Sequence, residues 1–367
     1  MIEMIDIKVK KDLWQYLSET QKPIVMYGMG NGADKILTVC EAKGIEVCDF
    51  FASDGFVRGH SFHGKKVLSY SETKEKYGDG NFIVLLSFAS SLPDVIDNIK
   101  RIANESELYA PDVPVCGDTL FDVSFFVSHK TEFEKARGIL ADEQSKKVFD
   151  NVINYKLSGD INYLFKCDSE IDETFNEILN AKNFECTADL GAYNGDTARQ
   201  LAEYSRNLKK IYALEPDRRN FRKLSEYAER EDRFDVLPYQ VAAWSKEETL
   251  TFGAEGNRNS GVGGSTNAIT SKCVTVEGNS LDNIVSERGE KIDYIKFDVE
   301  GSESEAIDGC YNTIKAYSPA LLVSVYHRSE DIFALPLKIH ELFPDYKLYL
   351  RKFRYIPAWD LNLYAVK

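Results

Sequence analysis

Short apolar runs, each followed by a polar turn and then a segment of helical period, occur in two separate stretches of the chain. They predict two alternating strand and helix series of the parallel α/β type. The first series follows an amphipathic segment near residues 8–19. Pro23-Ile24-Val25-Met26-Tyr27 reads as a strand, Asp34-Lys35-Ile36-Leu37-Thr38-Val39 as the opening of a helix, and residues 46–51 and 82–86 as the next strands. From about 131 to 180 the pattern turns helical, with Phe133, Ala136, Ile139, Leu140, Val148, Phe149 and Val152 at mostly three- and four-residue spacing. This stretch is predicted to connect residues 1–130 to a second domain, residues 181–367, and to pack on one or both.

The second series predicts strands at 186–190, 210–214, 234–243, 292–297 and 320–325, with helices from Asp196, over 219–230 and over 302–316. Residues 346–350 and 361–365 read as two strands joined by an aromatic-rich turn, an antiparallel pair at the sheet edge. The glycine-rich stretch 253–265 has no period and reads as a loop. Within it, 261–265 (Gly-Val-Gly-Gly-Ser) is a candidate lid on glycine hinges.

Length and charge narrow the class. At 367 residues, with roughly 150 residues per domain, two domains are expected. The formal charge of −14 sets the field of the whole protein against polyanions, so nucleic acid and anionic membranes are not expected partners. Seven cysteines without a C-x-x-C pair fit neither a zinc ribbon nor a disulfide framework and point to buried thiols in a reducing cytoplasm. The amino-terminal stretch lacks the features of a secretory signal, and no run reaches the length of a membrane span. Association of copies of the chain is left open.

The strongest chemical signal is Asp189-Leu190-Gly191-Ala192-Tyr193-Asn194-Gly195-Asp196, where the first strand of the second series turns into its helix. Glycines there allow close approach of a ligand. Asp189 and Asp196 would repel a pyrophosphate but suit an ammonium or sulfonium, although Asp196 also reads as a simple helix cap. Glu215-Pro216-Asp217 follows the next strand, about twenty residues on, where an acid accepts from ribose hydroxyls. Turn and acid together predict an adenosine-type ligand. Further on, Lys296, Asp298 and Glu300 alternate at the end of a strand apolar enough to be central. There they face a ligand, or Lys296 neutralises a carboxylate as a structural ion pair.

These stretches resemble the FkbM family of S-adenosylmethionine-dependent methyltransferases. The matching segments are DLGAYNGDT, ALEPD, QVAAWS, SLDNIV, IKFDVEGSESEAIDG and LLVSVYH, in the family's order over roughly residues 185–330. The resemblance implies a class I methyltransferase sheet of seven strands with the last antiparallel, and S-adenosyl-L-methionine as cofactor. It places Asp189, Gly191, Ala192, Asn194, Gly195 and Asp196 at the methionine part of the cofactor, Glu215 with Pro216 at the ribose, and the segment around Gln240, Val241 and Ala242 by the adenine, with Asp298 beside the crevice. Family members often carry Glu two positions before the His of LLVSVYH; here that position is Val325.

Methyl transfer to a hydroxyl needs a proton acceptor. His327 is the expected general base and Asp298 the competing candidate. Lys296, Glu300, Tyr326 and Arg351 are candidates for the acceptor side, Arg351 for an acidic or phosphorylated group. A divalent ion on Asp298 and His327 lacks a full ligand set in the sequence, and no metal is expected. In the first series, Gly28, Gly30 and Gly32 form a G-x-G-x-x-A turn ending at Ala33, with Asp49 and Asp54 after the next strand as ribose candidates. The turn either grips a nucleotide or serves packing alone. The sequence thus predicts a cytoplasmic O-methyltransferase acting on a small sugar-like or sugar-nucleotide acceptor. The alternatives are an N-methyltransferase, a nicotinamide-dependent enzyme built on the Gly28 turn, and a non-catalytic nucleotide-binding module.

Overall fold

The computed structural model describes residues 5–57, 59–253, 261–262, 273–286 and 289–367. Its amino-terminal sheet comprises β1 (Ile24–Tyr27), β2 (Asp49–Ala52), β3 (Ser61–Phe62), β4 (Lys65–Ser69), β5 (Ile83–Leu86) and β6 (Glu107–Tyr109). Their order is β3-β4-β2-β1-β5-β6, parallel except for the β3 and β4 pair. β1 and β5 are buried along their whole length, as expected of apolar runs covered on both faces.

The second half contains β7 (Cys186–Leu190), β8 (Lys210–Leu214), β9 (Asp235–Tyr239), β10 (Ala242–Ala243), β11 (Glu248–Gly253), β12 (Gly261–Val262), β13 (Cys273–Asn279), β14 (Tyr294–Phe297), β15 (Ala320–Ser324), β16 (Lys347–Lys352) and β17 (Leu361–Val366). Seven of these form the main sheet in the order β16-β17-β15-β14-β7-β8-β9. β17 runs antiparallel to both neighbours, as the resemblance implies.

Three departures from the sequence reading have local causes. Residues 234–243 divide into β9, at the edge of the main sheet where Pro238 needs no ladder partner, and β10, which joins β11, β12 and β13 in a separate small sheet. The helix predicted over 302–316 is two helices, Glu303–Asp308 and Tyr311–Tyr317. They meet at Gly309, where a Cβ would lie 2.0 Å from the Trp244 carbonyl oxygen. The first helix is shorter than predicted, Leu13–Glu19, started by Asp12 accepting from the Gln15 N–H.

The helical stretch between the sheets packs on both. One continuous apolar cluster contains Val25 and Phe82 of the first sheet, Phe149 and Ile153 of the helix Glu143–Ser158, and Val323 and Leu348 of the second sheet. Phe133 sits edge-on to Phe333 at 4.7 Å and to Phe121 at 5.7 Å. Burying these rings ties the halves into one apolar interior. Among the described residues no helix is long and apolar enough to cross a membrane.

Candidate functional site

The carboxyl ends of β7, β8, β14 and β15 open on one cavity of about 530 Å³, the place where a doubly wound sheet offers backbone groups to a ligand. After β7 the chain turns so tightly that the N–H groups of Gly191 and Ala192 both reach the Leu214 carbonyl, at 3.0 and 2.9 Å. Gly191, Tyr193 and Asp196 line the cavity. Ala192 is buried beneath the turn, and Gly195 starts the helix Asp196–Tyr204. Asn194 accepts from Arg199 at 3.4 Å, outside the cavity wall. Asp196 is the first residue of that helix rather than its cap, which is Gly195 without a side-chain cap bond; its carboxylate accepts from the Thr197 N–H at 3.0 Å and faces the cavity.

Glu215, just past β8, is 6% exposed. Its Oε1 accepts from the Asp217 N–H at 2.8 Å and its Oε2 from the Tyr193 N–H at 2.9 Å. Burial pushes its pKa up to about 7, against the pull of those two N–H groups. Each oxygen keeps acceptor capacity. Pro216 and Ala242 continue this wall.

The opposite wall is charged. β14 ends at Phe297, and Lys296, Asp298 and Glu300, the last at φ +53° in the following turn, all line the cavity. Lys296 Nζ lies 3.4 Å from Asp189 Oδ1 and 3.3 Å from Asp298 Oδ2. Asp189 is 1% exposed and does not line the cavity. Burial raises its pKa, with Lys296 opposing. Asp298 also accepts from Tyr326 Oη at 3.1 Å. Burial works against its charge, yet Lys296 and His327 bring its pKa down to about 2. Glu300 goes the other way, pushed by burial up to about 8.

His327 is fully buried behind this wall rather than on it. Its Nε2 stands 3.5 Å from Asp298 Oδ1 and 3.5 Å from Glu300 Oε2, and Nδ1 is 2.9 Å from Glu303 Oε1. Burial disfavours the imidazolium, but Glu303 and Glu300 overcome it and raise the pKa to about 10. Buried behind the wall with both ring nitrogens turned to carboxylates, His327 does not present a free base to the cavity. Glu303 also accepts from the N–H groups of Val299 and Gly301, at 3.0 and 3.4 Å, and so shapes the loop that carries Glu300.

Several lining groups had no signal in the sequence. Phe353, Tyr355 and Trp359 come from the turn between β16 and β17, and Ile171 and Phe175 from the end of the helical stretch. Val115 comes from the amino-terminal half. Its segment is tied to the site by Cys116, whose N–H donates to the His327 carbonyl at 2.9 Å and whose Sγ donates to the Glu300 carbonyl at 3.0 Å. Lys35 holds the same segment through the carbonyls of Val115 and Pro114, at 2.7 and 3.3 Å.

Other predicted residues lie elsewhere. Arg351 is 3% exposed, donates to Asp142 at 2.6 Å and to Ser145 Oγ at 2.9 Å, and does not reach the cavity. Its charge secures β16 to the start of the helix Glu143–Ser158. Arg351→Met is expected to cost about 2 kcal/mol of stability, read by denaturant unfolding, with the Michaelis constant for the acceptor unchanged.

The glycines of the first turn serve close packing. A Cβ on Gly28 would meet Ser87 Oγ and Phe88 Cδ1 at 2.7 Å, and one on Gly32 the Ser87 carbonyl oxygen at 2.2 Å. Gly30 has open space beside it. The acids expected to hold a ribose are engaged, Asp49 with Lys76 and Tyr77, and Asp54 with Ser71. The nicotinamide alternative loses its ribose contact. Of the candidate lid at 261–265, Gly261 and Val262 are strand β12 paired with β11, contrary to the loop reading, and 263–265 lie outside the described residues.

Comparison with known proteins agrees with this geometry. Residues 189–357 match the model of the methyltransferase FkbM domain. The crystal structure of a methyltransferase FkbM from Methylobacillus flagellatus KT is 19% identical, with a TM-score of 0.69 over 94% of this chain and 90% of that one. This likeness shows that the two share a fold through both halves. Fibrillarin from Aeropyrum pernix, in complex with natively bound S-adenosyl-L-methionine, is 14% identical over 50% of this chain and 66% of its own, with a TM-score of 0.31. An rRNA methylase from Streptococcus thermophilus is 12% identical over 54% of this chain and 99% of its own, with a TM-score of 0.34. A search of curated proteins finds no match. Residues 189–357 are thus similar to the methyltransferase FkbM domain, and this match supports a methyltransferase enzyme.

Proposed function

We propose that the protein transfers the methyl group of S-adenosylmethionine to a hydroxyl of a small, sugar-like acceptor. The observation that carries this reading is a single cavity with two unlike ends. One end has Glu215 buried between two backbone N–H donors beside the Gly191 turn. The other is lined by Asp298 and Glu300 together with Tyr355 and Trp359.

The first end fits the cofactor of this enzyme class. Ionised Glu215 accepts from the two ribose hydroxyls, Pro216 and Ala242 bound the adenine, and Gly191 leaves room where a side chain would intrude. The negative field of Asp196 and Asp298 favours a cation. S-adenosylmethionine, when bound, supplies an electrophilic methyl group on a sulfonium. The chain's own task is to align a hydroxyl with it, and positioning alone provides several kcal/mol. The aromatic groups of the second end offer flat faces to a sugar ring, and Asp360 and Asn362 offer acceptors and donors for its hydroxyls. The acceptor's proton leaves at the wall built by Asp298 and Glu300. In this reading residues 1–130 and 181–367 are two domains joined by helices over 131–180, and the first supplies Val115 to the acceptor wall. The six free cysteines among the described residues support a reducing, cytoplasmic setting.

Calorimetric titration with S-adenosylhomocysteine tests the reading. Glu215→Ala is expected to weaken binding by at least about 100-fold, since two hydrogen bonds to a charge are lost. Because Glu215 sits at about 7 in the free chain and the ribose needs its ionised form, affinity in the wild type falls as pH drops. Between pH 8 and pH 6 the loss is about tenfold, with proton release on binding at the lower pH. Binding of NAD that survives Glu215→Ala, with none of S-adenosylhomocysteine, would overturn the reading.

A further inference from the structure

His327 poses a problem that methyl transfer alone does not solve. Its Nε2 is buried without a hydrogen-bond partner and points between two carboxylates. At 3.5 Å, Asp298 Oδ1 and Glu300 Oε2 are too far for good hydrogen bonds to it. Two ligands of one tetrahedral ion at bond lengths of about 2.1 Å stand about 3.4 Å apart, close to the separation seen at both carboxylates.

The far side of the ring has the support a ligating imidazole needs. Glu303 Oε1 stands 2.9 Å from Nδ1, and a carboxylate there fixes the ring and raises its basicity toward a metal. Glu303 is 1% exposed and tethered by the N–H groups of Val299 and Gly301. The acid grouped with Asp298 and His327 within 4.8 Å of one another is Glu303, and Glu300 joins through its 3.5 Å approach to Nε2.

We propose that Nε2 of His327, with Asp298 and Glu300, binds a divalent transition-metal cation at the floor of the cavity. One imidazole with two carboxylates suits manganese, iron(II) or zinc better than the all-oxygen shells of magnesium and calcium. Binding exchanges the Nε2 proton for the ion, and the proton goes to solvent. Asp298 and Glu300 line the cavity, so an ion between them acidifies a hydroxyl that reaches it. Only this last effect rests on the methyl-transfer reading.

The test uses the full chain, stripped with a chelator and titrated separately with Mn²⁺ and Zn²⁺. One ion per chain is expected, with proton release, and Glu300→Gln and His327→Gln should each weaken binding at least tenfold. S-adenosylhomocysteine binding, which depends on Glu215, reports whether the variants are folded. Because His327→Gln alters a fully buried position, the wild type supplies a second readout. Bound Mn²⁺ should show nitrogen coupling from one imidazole in pulsed electron paramagnetic resonance. Absence of stoichiometric binding, absence of nitrogen coupling, or equal affinity in folded Glu300→Gln would each overturn the proposal. Metal binding in a wild type that ignores S-adenosylhomocysteine would instead sink the cofactor reading and leave the ion site standing.

Discussion

Replacing Lys296 by methionine is expected to lower the unfolding free energy by about 3–5 kcal/mol, because removing one partner leaves buried charge uncompensated. Lys296 stands 3.4 Å from Asp189 and 3.3 Å from Asp298, and Asp189, at 1% exposed, has little access to water. Burial already raises the Asp189 carboxyl above its ordinary range while Lys296 holds it down. Without the lysine the carboxyl climbs further. A group whose folded pKa is raised stabilises the fold below its unfolded pKa and loses that contribution as pH rises. The deficit of Lys296→Met should therefore be largest at pH 8 and shrink toward pH 5. Urea unfolding of both proteins at the two pH values measures it. Unchanged stability with a raised Michaelis constant would instead assign Lys296 to the acceptor, the role the sequence suggested.

Gly191→Ala should be nearly as damaging, and in a different way. Gly191 has φ +91°, and a Cβ there would lie 1.9 Å from the Asp298 carbonyl oxygen. The obstacle is backbone of the neighbouring strand, held in turn by the Asp298 N–H to the Leu190 carbonyl at 3.0 Å. Relief requires β7 and β14 to part where the cavity begins. Strain and overpacking together amount to about 3 kcal/mol, and the shift carries Asp298 with it. A melting point lowered by several degrees and loss of S-adenosylhomocysteine binding are expected. An alanine variant with wild-type melting and binding would show that the turn does not pack against Asp298 as described.

The comparison between Lys296 and Arg351 shows how far sequence reasoning reaches into a site. Both are basic residues on strands, and both were candidates for the acceptor. Lys296 directly follows the fully buried Ile295 on β14, and its register partner is Asp189. Arg351 faces the helix Glu143–Ser158, more than 200 residues earlier in the chain, and meets Asp142 there. No local pattern distinguishes these two outcomes. The same holds for His327, read as a base because it follows a strand at the crevice, yet buried among Asp298, Glu300 and Glu303 once the helix beginning at Glu303 is packed behind it.

The chain's own pattern settles β1, β2, β5, β7, β8, β14 and β15, the terminal antiparallel pair, the Gly191 turn and the register of Glu215 with it, but not β3, β4, β6 or the small sheet of β10 to β13. Each of these follows from neighbouring residues, through side-chain alternation, turn geometry and the fixed rise of a strand. Packing settles the rest. Val115 reaches the cavity from the first half, Phe175 from the helical stretch and Trp359 from the last hairpin, and charge states depend on which carboxylates share a dry wall. Such contacts join residues far apart in sequence, and burial strengthens each charge interaction only after the chain has closed around it.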